Sequence, residues 1–161
     1  MLHAVVPAAG VGSRMQADLP KQYLPLAGKR VIEQTLDLLL RVSGIETITV
    51  AISDGDPYWP ELPISRHARI NRAPGGAERA DSVLNALRRL RQQAAGDDWV
   101  LVHDAARPCL GLQDIENLIA RMLKIDPRMR YPTYASLISD LLQVLKKLKP
   151  DGDFRASPAM K

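Results

Sequence analysis

Leu2-His3-Ala4-Val5-Val6-Pro7 is six residues of almost unbroken apolar chain, followed at once by Ala8-Ala9-Gly10. A run this short and this apolar, closed by small residues, reads as a fully buried strand with the chain turning away at its carboxyl end. The same pattern repeats downstream. Thr47-Ile48-Thr49-Val50-Ala51-Ile52 is β-branched and ends in the turn signal Ser53-Asp54-Gly55-Asp56-Pro57. Ala68–Arg72 reads as a weaker strand, and Trp99-Val100-Leu101-Val102-His103 as another buried one. Helical patterns lie between them. Val31–Val42 sets its apolar residues at 31, 32, 35/36, 39 and 42, and Glu78–Gln93 puts Ala80, Val83, Leu84, Leu87 and Leu90 on one side. In the second of these the acids come early and Arg88, Arg89 and Arg91 come late, as a helix dipole favours. Strands separated by helices predict an α/β fold: a Rossmann-like parallel sheet with helices on both faces.

The pattern changes after Cys109. Gln113–Lys124 reads as a helix, Asp126–Pro132 as a turn and Thr133–Lys149 as a second helix. In that second helix Tyr134, Leu137, Ile138, Leu141, Leu142, Leu145 and Leu148 form an amphipathic stripe. The polar, Pro- and Gly-containing residues from Pro150 onward read as a disordered tail. The expected organisation is therefore an α/β domain over 1–121, a helix-turn-helix appendage over 122–149 and a tail over 150–161. A sheet of about four strands that stops at Val102 leaves an edge and an apolar face for the appendage to cover, so marginal stability or self-association is expected.

Composition sets outer bounds on function. The 161 residues are 46% hydrophobic and 25% charged, which suits one soluble globular domain with a short appendage. A single cysteine, Cys109, rules out a disulfide framework. It has no evident base partner and is expected to be packed. No apolar run approaches the ~20 residues that span a bilayer, and the start lacks a basic n-region and a long h-region. A soluble cytoplasmic protein is expected, with no membrane partner. The net charge of +4 lies wholly after residue 121, among a few lysines and the tail. That is not the basic stripe that nucleic-acid binding needs, so no nucleic-acid partner is expected.

Three constellations could carry chemistry. The first is Pro7-Ala8-Ala9-Gly10-Val11-Gly12-Ser13-Arg14-Met15 with Pro20-Lys21-Gln22, just past the end of the first strand. Open α/β sheets bind ligands there. Small residues let backbone N–H groups approach phosphate oxygens, and Arg14 and Lys21 add positive charge. The spacing is neither a P-loop nor a dinucleotide fingerprint, and a tight turn with two solvated cations explains it equally well. The second is Gly75-Gly76-Ala77-Glu78-Arg79-Ala80-Asp81-Ser82. Here two glycines open a helix that carries Arg79 and Ser82 on one face, able to grip a base or sugar. The plainer reading is a glycine turn with Ser82 at the surface. The third is His103-Asp104-Ala105-Ala106-Arg107-Pro108, at the end of the last strand. Asp104 is placed to hold Mg²⁺, a hard cation that prefers oxygen, or simply to pair with Arg107. His103, with no second His or Cys at ligand spacing, reads as structural.

Taken together the stretches VVPAAGVGSRM (5–15), PKQYLPLAG (20–28), GGAERADSV (75–83) and WVLVHDAARPCL (99–110) resemble the 2-C-methyl-D-erythritol 4-phosphate cytidylyltransferases, over about residues 2–120. The resemblance implies the N-terminal part of a nucleotidyltransferase fold. It implies transfer of the cytidylyl group of CTP to 2-C-methyl-D-erythritol 4-phosphate in non-mevalonate isoprenoid precursor synthesis, with Mg²⁺ assisting and pyrophosphate released. Residue by residue, Ala8, Ala9, Gly10 and Gly12 match the loop around the triphosphate. Arg14 and Lys21 match the pair that stabilises the charged transition state. Gly75, Gly76 and Ser82 match the cytosine-recognition segment, Asp104 matches the Mg²⁺ ligand, and Arg107 is its neighbour in the motif. Such a reaction needs positioning and charge neutralisation rather than a covalent nucleophile.

The same likeness implies a homodimer, although the arm through which the family dimerises is absent from this chain, together with the part that binds the acceptor. In its place the segment from Leu118 to about residue 149 looks like the end of a protein-kinase C-lobe, through the run Met122-Leu123-Lys124-Ile125-Asp126-Pro127-Arg128-Met129-Arg130-Tyr131. Kinase activity is excluded, because the glycine-rich loop, the V-A-I-K lysine, H-R-D and D-F-G are all missing. Three further readings therefore stand beside the active enzyme: a catalytically silent remnant that binds CTP and Mg²⁺, an interaction module acting through the last helix, and a relative using another alditol or sugar phosphate.

Overall fold

The computed structural model describes residues 1–10 and 19–123. Gly12, Arg14, the helix expected over Thr133–Lys149 and the tail from residue 150 lie outside the described residues. The chain divides into two units, Met1–Leu112 and Gln113–Lys161. The first contains the sheet. Of the second, the described part is the body of one helix.

In chain order the elements are β1 (Leu2–Pro7), the short strands β2 (Pro25–Leu26) and β3 (Lys29–Arg30), α1 (Val31–Arg41), β4 (Ile45–Ile52), β5 (Ile70–Pro74), α2 (Arg79–Leu90), β6 (Trp99–Val102) and α3 (Leu112–Met122). β1, β4, β5 and β6 form one sheet in the order β5-β4-β1-β6, and every pairing is parallel. The predicted parallel α/β sheet is what the chain builds. The predicted Leu2–Pro7 strand has the observed boundaries, because the run is apolar on both faces and both faces are covered. The chain steps from β1 to β4 and on to β5, then returns past β1 to β6. This reversal opens a crevice at the carboxyl ends of β1 and β6, the topological switch point of the sheet.

Val5, Ala51, Ala73 and Val100 share one sheet face with Ala86, Leu90, Val83 and Ala94 from α2 and the turn after it. The alternating residues Ala4, Val6, Ile48, Val50 and Ile52 are just as buried on the other face. α1 packs against β4 and buries Ile32, Thr35, Leu36 and Leu39. Right-handed crossovers in opposite directions put α1 and α2 on opposite faces. α1 begins where the Arg30 N–H donates to the Glu33 carboxylate, and α2 where the Glu78 N–H donates to Asp81.

Four expectations need correction. The buried stripe of α2 is Ser82, Ala86 and Leu90, while Leu84 and Leu87 face outward at 46% and 36% exposure. Small side chains are what let this helix lie close on Ala51 and Ala73, and they carry no hydrophobic signal. β6 is not a buried strand. It is an edge strand among the described residues, with Trp99 half exposed and Val102 outward. The strand expected at Ala68–Arg72 falls at Ile70–Pro74, and it is reached from β4 through two 3-10 turns (Trp59–Glu61 and Pro63–Arg66) rather than a helix. Finally, Cys109 is exposed rather than packed. The hairpin of β2 and β3 has no counterpart among the expected elements. It turns on Ala27 and Gly28, both at positive φ.

Candidate nucleotide-binding site

Three loops converge on the switch point, and the fold determines where each one ends. After β1 the Ala8 N–H donates to the Ala51 carbonyl, and the carbonyl of Ala9 accepts a hydrogen bond from Ser53 Oγ. Gln22 is buried, and its Nε2 donates to the carbonyls of Ala8 (2.8 Å) and Gly10 (3.1 Å). The short 3-10 turn Lys21–Tyr23 therefore holds the loop from below while leaving Lys21 exposed above it. Tyr23 anchors the turn: its ring packs against Tyr58, and its hydroxyl donates to Asp56.

After β5 the chain needs two glycines for lack of room. A Cβ on Gly75 would stand 2.3 Å from the Cβ of Ala9 and 3.1 Å from the backbone nitrogen of Ser53. A Cβ on Gly76 would stand 2.2 Å from the Cβ of Asp81 and 2.9 Å from backbone atoms. Ser82, one turn into α2, is buried, and its hydroxyl accepts the Gly76 N–H at 3.0 Å. The surface position in the plainer reading is thus wrong: Ser82 fixes the turn from inside.

After β6 the His103 N–H donates to the Val5 carbonyl, and Thr35 Oγ1 donates to the Ala105 carbonyl at 2.8 Å. His103 is buried, with Nδ1 near its neighbour's carbonyl. Burial holds its pKa below the usual imidazole value. Asp104 faces the crevice with one oxygen hydrogen-bonded by Arg79 (Nη2 at 2.9 Å, Nε at 3.2 Å) and the other ion-paired with Arg107 Nε at 2.9 Å. Burial works against its charge, but the hydrogen bond from Arg79 and the charges of Arg79 and Arg107 outweigh it. They hold the carboxyl below the ordinary carboxylate range.

These loops enclose a crevice of about 250 Å³ lined by Pro7, Ala9, Gly10, Lys21, Gly76, Ala77, Glu78, Arg79, Ser82, Asp104, Ala105 and Ala106. Of the residues singled out from sequence, Ala9, Gly10, Lys21, Gly76, Ser82 and Asp104 meet there. Ala8 and Gly75 lie behind the lining, and Arg107 is joined to it through Asp104. Gly12 and Arg14 are outside the described residues. Sequence reasoning misses two contributors. Gln22 stands in a quoted motif but shows its role only through its contacts. Arg79 reads as Ser82's neighbour on a helix face, and its pairing with Asp104, 25 residues along the chain, is visible only in the structure.

The site offers open backbone at Gly10, the amino end of α2, the cations Lys21 and Arg79, and the carboxylates of Glu78 and Asp104. Anions gather at such helix ends. Among the described residues no three His, Cys, Asp or Glu side chains cluster to hold a metal. Glu78 is engaged in capping α2, and Asp104 by itself still suits Mg²⁺ that keeps its waters and arrives on phosphate oxygens. By donor chemistry, then, Asp104 fits as one ligand of such an ion, not as part of a closed cage.

A parallel sheet with this crevice at its switch point defines an open α/β fold with its ligand site at the carboxyl ends of the strands. Comparison with known proteins makes this specific. The family model described as 2-C-methyl-D-erythritol 4-phosphate cytidylyltransferase matches residues 2–128. A protein of that name from Vibrio vulnificus is 59% identical over 120 residues, 74% of this chain and 51% of the relative. One from Vibrio parahaemolyticus is 47% identical over 150 residues, 93% of this chain and 61% of the relative. The crystal structure of the Francisella tularensis 2-C-methyl-D-erythritol 4-phosphate cytidylyltransferase superposes with a TM-score of 0.63 at 35% identity, covering 78% of this chain and 53% of that one. The chain belongs to the 2-C-methyl-D-erythritol 4-phosphate cytidylyltransferase family. It spans about half the length of the curated relatives it matches. The family match runs to residue 128, past the point near 120 where the sequence motifs end.

Proposed function

We propose that this chain binds CTP in the switch-point crevice and transfers its cytidylyl group to 2-C-methyl-D-erythritol 4-phosphate, releasing pyrophosphate. The observation that carries the reading is the convergence of Gly10, Lys21, the Gly76–Ser82 turn and Asp104 on one crevice. The four come from three loops that only the fold brings together.

The chemistry suits those groups. Attack by one phosphate on another brings two anions together and spreads charge over the equatorial oxygens of the α-phosphorus. Lys21 neutralises that charge, and Arg14 is its expected companion from the same loop. Backbone N–H groups near Gly10 face the triphosphate. Gly75 and Gly76 let the turn pack against Ala9 and Asp81, Ser82 fixes it, and the base is held against this turn where Gly76 and Ser82 line the crevice. Mg²⁺, when bound, would supply charge neutralisation on the phosphate oxygens, and Asp104 would be one of its ligands.

The test is CTP binding to the purified chain, followed by thermal melting with Mg²⁺ present. A ligand that binds the native state alone raises the melting temperature with its concentration. CTP is expected to do so, and Lys21→Ala and Asp104→Asn to shrink the shift. A melting temperature indifferent to CTP overturns the reading.

A further inference from the structure

Asp104 is held by more than a metal ligand needs. Both of its carboxylate oxygens face guanidinium groups: one accepts hydrogen bonds from Arg79, and the other forms an ion pair with Arg107 Nε at 2.9 Å. A divalent cation approaching alone meets two positive charges, with each oxygen already engaged by one of them. Arg79 comes from the first turn of α2, across the crevice, and Arg107 from the same loop as Asp104. Their side chains are 62% and 73% exposed. Ion pairs this exposed add little to fold stability, so the triad is poorly explained as a brace for the fold. The same exposure makes the pairs easy to exchange for a better partner. A triphosphate is such a partner, because guanidinium groups prefer the multiple oxygens and higher charge of phosphate. Arg79 already lines the crevice.

We propose that Arg79 and Arg107 keep Asp104 closed to a free divalent cation, and that the carboxylate is released when a nucleoside triphosphate engages the two guanidinium groups, so that metal and nucleotide enter together. Arg79 and Arg107 then act on the metal through Asp104 and contact the nucleotide once it is bound. The proposal rests on the reading of the crevice as a CTP site with Asp104 as metal ligand.

The experiment uses Mn²⁺ as the probe and the enhancement of water proton relaxation as the readout, on the full chain. Mn²⁺ alone is expected to give no enhancement with the unsubstituted protein, and Mn²⁺ with CTP a large one. Arg79→Gln combined with Arg107→Gln should tighten binding of Mn²⁺ alone by about tenfold or more, the scale of removing one charge-assisted hydrogen bond. A further Asp104→Asn should abolish that gain. Arg79→Lys, which keeps the charge and loses the fork, should fall between. If the unsubstituted protein binds Mn²⁺ alone as tightly as it binds Mn²⁺ with CTP, the gate is overturned without reliance on any variant. If Asp104→Asn leaves the enhancement with CTP intact, the metal is not on Asp104, and the underlying reading falls along with the gate. Enhancement lost in Asp104→Asn, with equal binding of Mn²⁺ alone by the unsubstituted and arginine-substituted proteins, overturns the gate alone.

Discussion

Thr35 Oγ1 donates a 2.8 Å hydrogen bond to the carbonyl oxygen of Ala105, 70 positions further along the chain. One buried hydroxyl in α1 thereby fixes the loop that carries Asp104. Thr35→Val keeps the shape and removes the donor, leaving a buried carbonyl unpaired at a cost of about 1–3 kcal/mol. Urea unfolding should show that loss, and CTP binding should weaken because the Asp104 loop is no longer held. Unchanged stability would mean that the carbonyl has another partner.

Gly75 and Gly10 should respond in opposite ways to the same substitution. Gly75→Ala drives a Cβ against Ala9 and the backbone of residues 52 and 53, and overpacking of this kind costs about 1–3 kcal/mol. A Cβ on Gly10 would meet nothing within 4 Å, so Gly10→Ala should alter stability by less than about 0.5 kcal/mol. It should instead crowd the crevice and lower the affinity for CTP. Thermal melting and calorimetric titration of the two variants separate the effects.

Thr49 lies fully buried in β4, and its hydroxyl has no hydrogen-bond partner among the described residues. A stranded hydroxyl is a cost that an isosteric methyl removes. Thr49→Val is therefore expected to raise the unfolding free energy by about 1 kcal/mol, read as a higher urea midpoint with an unchanged slope.

Tyr23 supplies a pH dependence. Burial first, and then the hydrogen bond its hydroxyl donates to Asp56, push its pKa far above the ordinary value of 10. The folded state therefore keeps this proton where the unfolded chain gives it up. The stabilising contribution is complete below pH 10 and is lost as the pH rises above it. Alkaline titration should show a phenolate step that coincides with unfolding, and Tyr23→Phe should remove that step and flatten the alkaline fall in stability.

Much of the fold was legible because burial on two faces leaves a strong mark. β1 could be bounded from Leu2–Pro7, and α1 from the spacing of Ile32, Leu36 and Leu39. α2 was found, and its inward face in part: Val83 and Leu90 do face the sheet, whereas Leu84 and Leu87 do not. Leu84 and Leu87 outweigh Ser82 and Ala86 in any hydrophobic pattern, whereas what the sheet demands at that face is small volume. β6 looked buried because Trp99 and Val102 are apolar, and no local pattern reveals that a strand ends at a sheet edge.

The site divides along the same line. Gly10, Lys21, Gly76, Ser82 and Asp104 announce themselves by residue type at strand ends and helix starts, and they do meet. Gln22 looks like any surface amide until its two hydrogen bonds to the Ala8 and Gly10 carbonyls are seen. The pairing of Arg79 with Asp104 is a product of the β5-α2-β6 crossover and has no local signature.

The central claim is catalysis of cytidylyl transfer, and acceptor-dependent release of pyrophosphate tests it most directly. The purified chain is given CTP, Mg²⁺ and 2-C-methyl-D-erythritol 4-phosphate, beside Lys21→Ala and Arg14→Ala. The account predicts release that requires the acceptor and falls in both variants by the equivalent of about 2–4 kcal/mol, the scale of losing one preorganised charge-stabilising group. Absence of release with the acceptor present, or release that both variants sustain in full, would contradict it.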